Sequence, residues 1–519
     1  MIGKLTRWLP QKGMKTLQIC LGCISIGIWA GTEYNPYLWN HTHAHNVHSG
    51  GEWTPARPVY EITGTYEPKQ RDLKGHMQLH VPENLPEAQG NSVFLHLYPN
   101  AFHHWKHEKF IRPVKPGFLI PYNVKINGQN AVTELHHNKT ILQIHLPRQT
   151  KETTLNIEMD YHLRIPEGGL RLSQEGKTAF LAQWYPMLAV HDQNRWHLNP
   201  YTTIGEPFYT RAADYHVSLE TPPGYRIIST GRNPEPSKNT ARISSHQTRD
   251  FTAMITSEYQ ALTSQEDGVY IHLWYRPEDR ELAQSLQHTA VSSLRFFSEK
   301  FGAYRDEITD ELDIVFDSSK INPGNMGGME YPGLITIQTR GISRMRREIP
   351  IPDNAIKTPL AHEIAHQWWY GFVGNNQAQE AWLDEGLTTF SEILYMENVE
   401  GETHLDDLRK IVSSSDKSEI GKKETLTGDP HSKESYGIMA YARPAAMMFD
   451  LATEVGNMDE LLAILNKYHN QYRYKIATGC EFIRFVESQS RKNLRYFFYK
   501  WLYRLPDDCL SENEKPVTK

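Results

Sequence analysis

Between residues 57 and 265, apolar and polar side chains alternate in short runs. Segments 59–66, 76–81, 92–98, 141–146 and 155–163 each put every second side chain on one face. That is the period of a strand with one buried side. Asn127-Gly128, Glu167-Gly168-Gly169 and Pro222-Pro223-Gly224 read as turns between strands. No helical period of normal length interrupts the region, so it reads as one all-β domain. Near Pro277 the period changes. Leu282, Leu286, Ala290, Leu294 and Phe297 recur at helical spacing over 279–301, and Gly302 offers a stop. Strands are expected at 312–316 and 334–338, then mostly helix to about Arg504. Strands first and helices after is an α+β pattern. At 519 residues the chain exceeds one ordinary core, so two large domains are expected, 57–265 and 266–505, with a tail at 506–519.

The N-terminus has another texture. Lys4, Arg7, Lys12 and Lys15 precede any acidic residue, and the run 17–31 is uncharged. A positive flank before an apolar run is the pattern of a signal peptide or signal anchor, although this run is shorter than the roughly 17–25 residues of an ordinary span. Residues 1–31 are read that way. Residues 32–56, with His41, His43, His45 and His48, are read as a polar linker rather than a metal-binding tract. The expectation is an exported protein, held at the cell membrane through this segment if it is uncleaved and extracellular if it is removed. Cys20 and Cys23 fall in the leader. Cys480 and Cys509 fit either a disulfide or two free thiols.

Composition is that of a globular protein, 39% hydrophobic and 22% charged with a formal net charge of -6. Such a balance gives no electrostatic reason to expect a nucleic-acid partner. The one basic cluster, Arg340, Arg344, Arg346 and Arg347, reads as a solvated loop.

The candidate chemistry centres on His362-Glu363-Ile364-Ala365-His366. Residues four apart on a helix share a face, so His362 and His366 present two imidazoles to one ion. Glu363 lies about 100° further round, where a general base belongs. The helix is predicted to run on through Tyr370, with Gly371 and Gly374 as stop signals and 375–377 as a turn. A second, antiparallel helix starting near Ala378 then brings Glu385 level with the histidines. Two imidazoles, one carboxylate and an open position describe a catalytic zinc site, with one Zn2+ per chain. Glu392, seven residues after Glu385 on the same face, fits either a group that orients an imidazole from behind or an exposed carboxylate. Tyr436 and Tyr441 are candidate phenols for a developing oxyanion, with packing as the default for both. Gly327 and Gly328 permit close backbone approach to a ligand, and Glu330 beside them fits either a carboxylate for a substrate amine or, as the default for a lone acid beside glycines, a plain loop residue.

Together these motifs resemble the gluzincin metallopeptidase family of aminopeptidase N (membrane alanyl aminopeptidase) and leukotriene hydrolase/aminopeptidase. His362, Glu363, His366 and Glu385 match its zinc motif in type and spacing, and Gly327-Gly328-Met329-Glu330-Tyr331 is similar to its Gly-x-Met-Glu-Asn segment. Over about 57–505 the resemblance implies a saddle-like N-terminal β domain and a thermolysin-like catalytic domain. It further implies that Glu330 holds the α-amine of a peptide substrate and that the glycine backbone aligns the peptide. Tyr441 falls at the transition-state tyrosine, and Gln183, in Leu181-Ala182-Gln183-Trp184-Tyr185-Pro186, falls at a substrate-lining glutamine. The function so implied is a zinc-dependent aminopeptidase with Glu363 as general base. Two departures stand out. Tyr331 replaces an Asn, and the chain ends near the close of the catalytic domain, without the helical C-terminal domain that walls off the cleft in relatives. An endopeptidase with an open cleft and a non-catalytic zinc-fold surface module are the alternatives.

Overall fold

A computed structural model describes residues 57–103, 113–147, 154–169, 171–202, 205–234, 240–305, 310–317, 327–339, 354–414, 436–502 and 509. The leader, the linker histidines and the Arg340–Arg347 cluster lie outside these residues. The alternating N-terminal segments form strands. Val59–Glu67, Asp72–Pro82 and Thr154–Arg164 sit at the centre of a seven-stranded sheet that also holds Ala213–Glu220, Thr240–Thr248, Phe118–Ile126 and Gln129–Asn130. Pairing is antiparallel throughout except where Val59–Glu67 runs parallel to Ala213–Glu220. Thr154–Arg164 alternates half-buried and buried side chains along its whole length, as the sequence period requires. Two four-stranded sheets and one two-stranded sheet complete the described β region, and Tyr60, Ile62, Leu79, Met159, Tyr161 and Val217 belong to its core. The run 92–98 is a strand only as far as His96. Tyr98–Phe102, with Pro99 in its first turn, winds into a short 3-10 turn instead, because proline cannot donate to a ladder.

The second unit starts a few residues earlier than the period change suggests. Gln260–Glu266 forms a hairpin with Val269–Tyr275 and joins Glu311–Asp317, Leu334–Gln338 and the edge strand Gly328–Met329 in one five-stranded sheet. Glu311–Asp317 is buried at five successive positions, the mark of a strand covered on both faces. Ile314 faces the helical core, whereas Val315, Met329 and Leu334 face the β domain. The helices that cover the other face are α1 (Arg280–Phe301), α2 (Asn354–Ala365), α3 (Gln377–Tyr395), α4 (Leu405–Ser414), α5 (Arg443–Val455), α6 (Met458–Tyr472), α7 (Gly479–Ser490) and α8 (Arg495–Leu502). Cys480, on α7, is disulfide-bonded to Cys509, which decides between the alternatives the sequence left open.

The histidine helix is shorter than expected. α2 ends at Ala365 rather than Tyr370. Beyond it Gly371, Phe372 and Val373 donate to His366, Gln367 and Trp368, a wide five-residue spacing. Arg249 of the β domain fixes the segment that follows. This buried guanidinium donates to the carbonyls of Tyr370 and Phe372, beyond the helix end, and of Lys475, beyond α6, groups left without helical partners there. A Cβ on Gly374 would stand 2.1 Å from that guanidinium, so the glycine makes room for a domain contact rather than merely ending a helix.

A second tie joins the units at Asn233. Its side-chain N–H2 donates to both oxygens of Asp313 at 2.9 and 2.8 Å, and its backbone N–H donates to Glu311 at 3.1 Å. Around the pair lie Arg232, Asp310, His272 and Trp274. Burial pushes the Glu311 carboxyl up to about 7, against the pull of the Asn233 N–H and Arg232. Asp313 is raised by burial and by Glu311. An acid raised on folding binds its proton more tightly in the native state. The stability it contributes is therefore present at acid pH and lost as pH rises through about 7. Wild-type protein should lose this contribution between mildly acid and neutral pH. Thermal unfolding of wild type and Glu311→Gln across pH 4–8 checks this, since the variant should show a shallower slope, with Asp313 alone remaining.

Candidate active site

α2 and α3 pack side by side and bring the two halves of the motif together. His362 Nε2 and His366 Nε2 each lie 3.2 Å from Glu385 Oε2, and the two ring centroids are 4.8 Å apart. The other ring nitrogens are occupied. His362 Nδ1 lies 2.9 Å from Glu392 Oε2. His366 Nδ1 lies 3.0 Å from Asp384 Oδ1, from the Trp369 carbonyl and from Thr388 Oγ1. These contacts fix both rings with Nε2 turned to a common point. Two imidazole nitrogens and one carboxylate oxygen suit zinc, and three protein ligands leave a position for substrate or water.

Electrostatics support a cation at that point. Burial disfavours the imidazolium of His362, yet Glu385 and Glu392 outweigh it and push the group up to about 10. Burial likewise opposes ionisation of Glu385, but His366 and His362 hold its carboxyl below the ordinary range. A pocket that attracts protons this strongly has the same attraction for a metal ion.

Glu363 is buried, and its Oε2 meets no partner among the described residues. Burial lifts it to about 7, with the two imidazoles pulling the other way. The glycine-rich segment passes directly over it. A Cβ on Gly328 would stand 2.4 Å from Glu363 Cγ and 2.3 Å from the Thr336 carbonyl, so no larger residue fits there. At Gly327 the nearest atom to such a carbon is Glu363 Oε1 at 4.0 Å, which leaves the space before the carboxylate open. Met329 pairs with Thr336, and Gly328–Met329 forms the outer edge of the sheet.

Glu330 follows that edge, buried, with single ligand-type atoms of Glu330, Glu363 and His366 all within 4.8 Å of one another. Burial, then the neighbouring Glu206, raises its carboxyl well above the ordinary range. Tyr331 turns its ring into the β domain against Phe180, at 5.6 Å between centroids. Tyr441 lies on a widened helical turn, 437–442, and donates its hydroxyl to Glu385 Oε1. Its ring is 5.9 Å from that of His362. Tyr436 packs behind it, 6.0 Å away, against Gly205. Gln183 is buried on the β-domain side with its Nε2 on Asp250 Oδ2 at 3.1 Å, and Asp250 also takes the Tyr370 hydroxyl.

Three members of this constellation were not singled out by the sequence reading. Asp384 precedes Glu385 directly, and that adjacency was the available signal. Gln377 lies seven residues before Asp384, ahead of a kink at Glu380 (φ −133°, ψ 44°), and donates to it and to Glu330. Glu206, paired with the buried Arg171, comes from a β-domain loop, and nothing in its local sequence marks it.

Comparison with known proteins places this geometry. Residues 287–501 match the Peptidase family M1 domain. Aminopeptidase N of Streptomyces lividans is 29% identical over 199 residues, 35% of this chain and 21% of that protein. Aminopeptidase N of Lactobacillus helveticus is 22% identical over 420 residues, 74% of this chain and 46% of that protein. The chain thus spans between about a fifth and a half of the length of these relatives. Among solved structures, an M1 zinc metallopeptidase from Deinococcus radiodurans superposes with a TM-score of 0.57 at 17% identity, covering 89% of this chain and 95% of that one. A variant of an M1 zinc metallopeptidase from that organism bound to a Tyr-Ser-Ala substrate gives 0.55 at 16% identity, with coverage of 88% and 96%. The β domain, the mixed sheet and the helices over it are the fold of these solved structures, and the catalytic unit carries, over 287–501, the Peptidase family M1 domain.

Proposed function

We propose that the protein is an aminopeptidase that removes N-terminal residues from peptides. The observation that carries this reading is the position of Glu330, a buried carboxylate beside Glu363 and His366. A fixed anion so close to the metal ligands suits a substrate whose ammonium lies one residue from the scissile bond. Held by His362, His366 and Glu385, zinc supplies an electrophile for the scissile carbonyl and makes a water more acidic. Glu363 takes the proton of the attacking water and passes it to the nitrogen of the breaking C–N bond, so the leaving amine departs neutral. Tyr441 donates to the oxygen that gains charge as the carbonyl becomes tetrahedral. The outer edge of Gly328–Met329 gives an extended peptide main-chain partners, and Gln183 lines the β-domain side.

Export belongs to the proposal on the strength of residues 1–31 alone. Among the described residues no helix is long and apolar enough to cross a membrane.

Glu363→Gln should retain its metal and lose activity by about 10²–10⁴-fold. Metal analysis beside turnover of an aminoacyl-amide substrate checks both halves, and wild-type turnover in the variant would refute the mechanism. Glu330→Ala should lower kcat/KM for free-amine peptides roughly ten- to a hundredfold, the size of a charge-assisted contact. N-acetylated peptides should be poor substrates of the wild type and no worse for the variant. Equal cleavage of free and acetylated peptides by both proteins would make the chain an endopeptidase. A chelator should abolish activity, and added zinc should restore it.

A further inference from the structure

Gln377 opens α3 and is 3% exposed. Its Nε2 lies 3.2 Å from Glu330 Oε1 and 2.5 Å from Asp384 Oδ2. An amide nitrogen carries two N–H donors, and here each faces a carboxylate. The opposite orientation would aim the amide oxygen at two anions, so the assignment follows from chemistry. Asp384 in turn holds His366. The chain Glu330–Gln377–Asp384–His366 therefore ties the proposed amine anchor to a proposed metal ligand through one neutral side chain. Without that bridge, two buried carboxylates would face each other with no donor between them.

The other half of the amide points to a ligand. Gln377 Oε1 is buried and meets no donor among the described residues. Two acceptors on carboxylates that act on Glu330 share that condition, namely Glu206 Oε2 and Glu363 Oε2. Buried acceptors without donors are rare in folded proteins, and around Glu330 they outnumber the orphaned donor of Arg171, Nη1. A ligand with several N–H groups and a positive charge answers that excess of acceptors, which is the chemistry of a primary ammonium.

We propose that Gln377 is a second substrate-binding residue of the amine subsite: its N–H2 group holds Glu330 at a set distance from the metal ligands, and its Oε1 accepts from the substrate's ammonium. The inference rests on the aminopeptidase reading above, and Glu330→Ala tests that reading separately. The arrangement also acts as a ruler, because amine anchor and metal ligand are positioned by the same side chain.

The test compares a free-amine aminoacyl amide with its desamino analogue, otherwise identical, in the full-length protein. Gln377→Met keeps the size and removes both donor and acceptor. It should lower kcat/KM for the free-amine substrate about tenfold more than for the desamino analogue, mainly through KM. In the Glu330→Ala background the same change should cost clearly less, because both residues serve one ammonium. Equal losses on the two substrates, no loss, or full additivity with Glu330→Ala would overturn the proposal. Should Gln377→Met bind less zinc or fail to fold, Gln377→Asn, which keeps the amide but draws it back by one carbon, decides by the same substrate ratio. A fall in that ratio supports the inference, and an unchanged ratio overturns it. If Glu330→Ala itself leaves the free-to-desamino ratio unchanged, the aminopeptidase reading fails, whatever Gln377 does.

Discussion

The structure depends on the balance of buried charge where its two units meet. Glu206, Glu330, Glu363, Asp384 and Glu385 are all buried, in reach of two imidazoles and the guanidinium of Arg171. Carboxylates gathered out of water repel one another and lose hydration. Such a cluster is tolerable only with compensating cations, and the imidazole pair is arranged to hold one. The raised carboxyls of Glu330 and Glu363 and the depressed one of Glu385 are responses to the same imbalance. Each group's role follows from how near it stands to the metal point and how many donors it has.

That balance is possible because the catalytic sheet is covered on both sides. Helices α1 and α2 press on one face and the β domain on the other, so the edge strand Gly328–Met329 and Glu330 after it lie at a dry boundary. Low local polarity strengthens every charge interaction there. Arg249 holds the boundary by taking the carbonyls of Tyr370 and Phe372, after the histidine helix, and of Lys475, after α6. Just before that contact Trp368 and Trp369 enter the helical core, and just after it Gln377 stands beside Glu330.

The surroundings of Glu330 are correspondingly a two-domain product. Arg171 and Glu206 come from β-domain loops, whereas His362, His366, Glu385 and Glu330 come from the catalytic unit. Tyr331 fills the β-domain core with its ring, so the residue that departs from the family's usual Asn serves the junction between the units.

How much of this was legible in the sequence follows from the range of each interaction. Alternation with period two marked the strands, and residues four apart marked His362 and His366, because backbone geometry alone sets which side chains share a face. Glu385 and Glu392 were readable for the same reason, lying on one helix at a fixed spacing from the pair. The early end of α2 was not, and the segment after it is tied to Arg249, over a hundred residues upstream. Gln377 looked like part of a turn, because its meaning lies in Glu330, 47 positions away in sequence. Glu206 carried no local signal at all. The sequence by itself determined the ligand set and the secondary structure that presents it, which are matters of short-range spacing. Only the tertiary structure decided which buried acceptors stand around Glu330, because that depends on how two separately folded layers close over the same carboxylates.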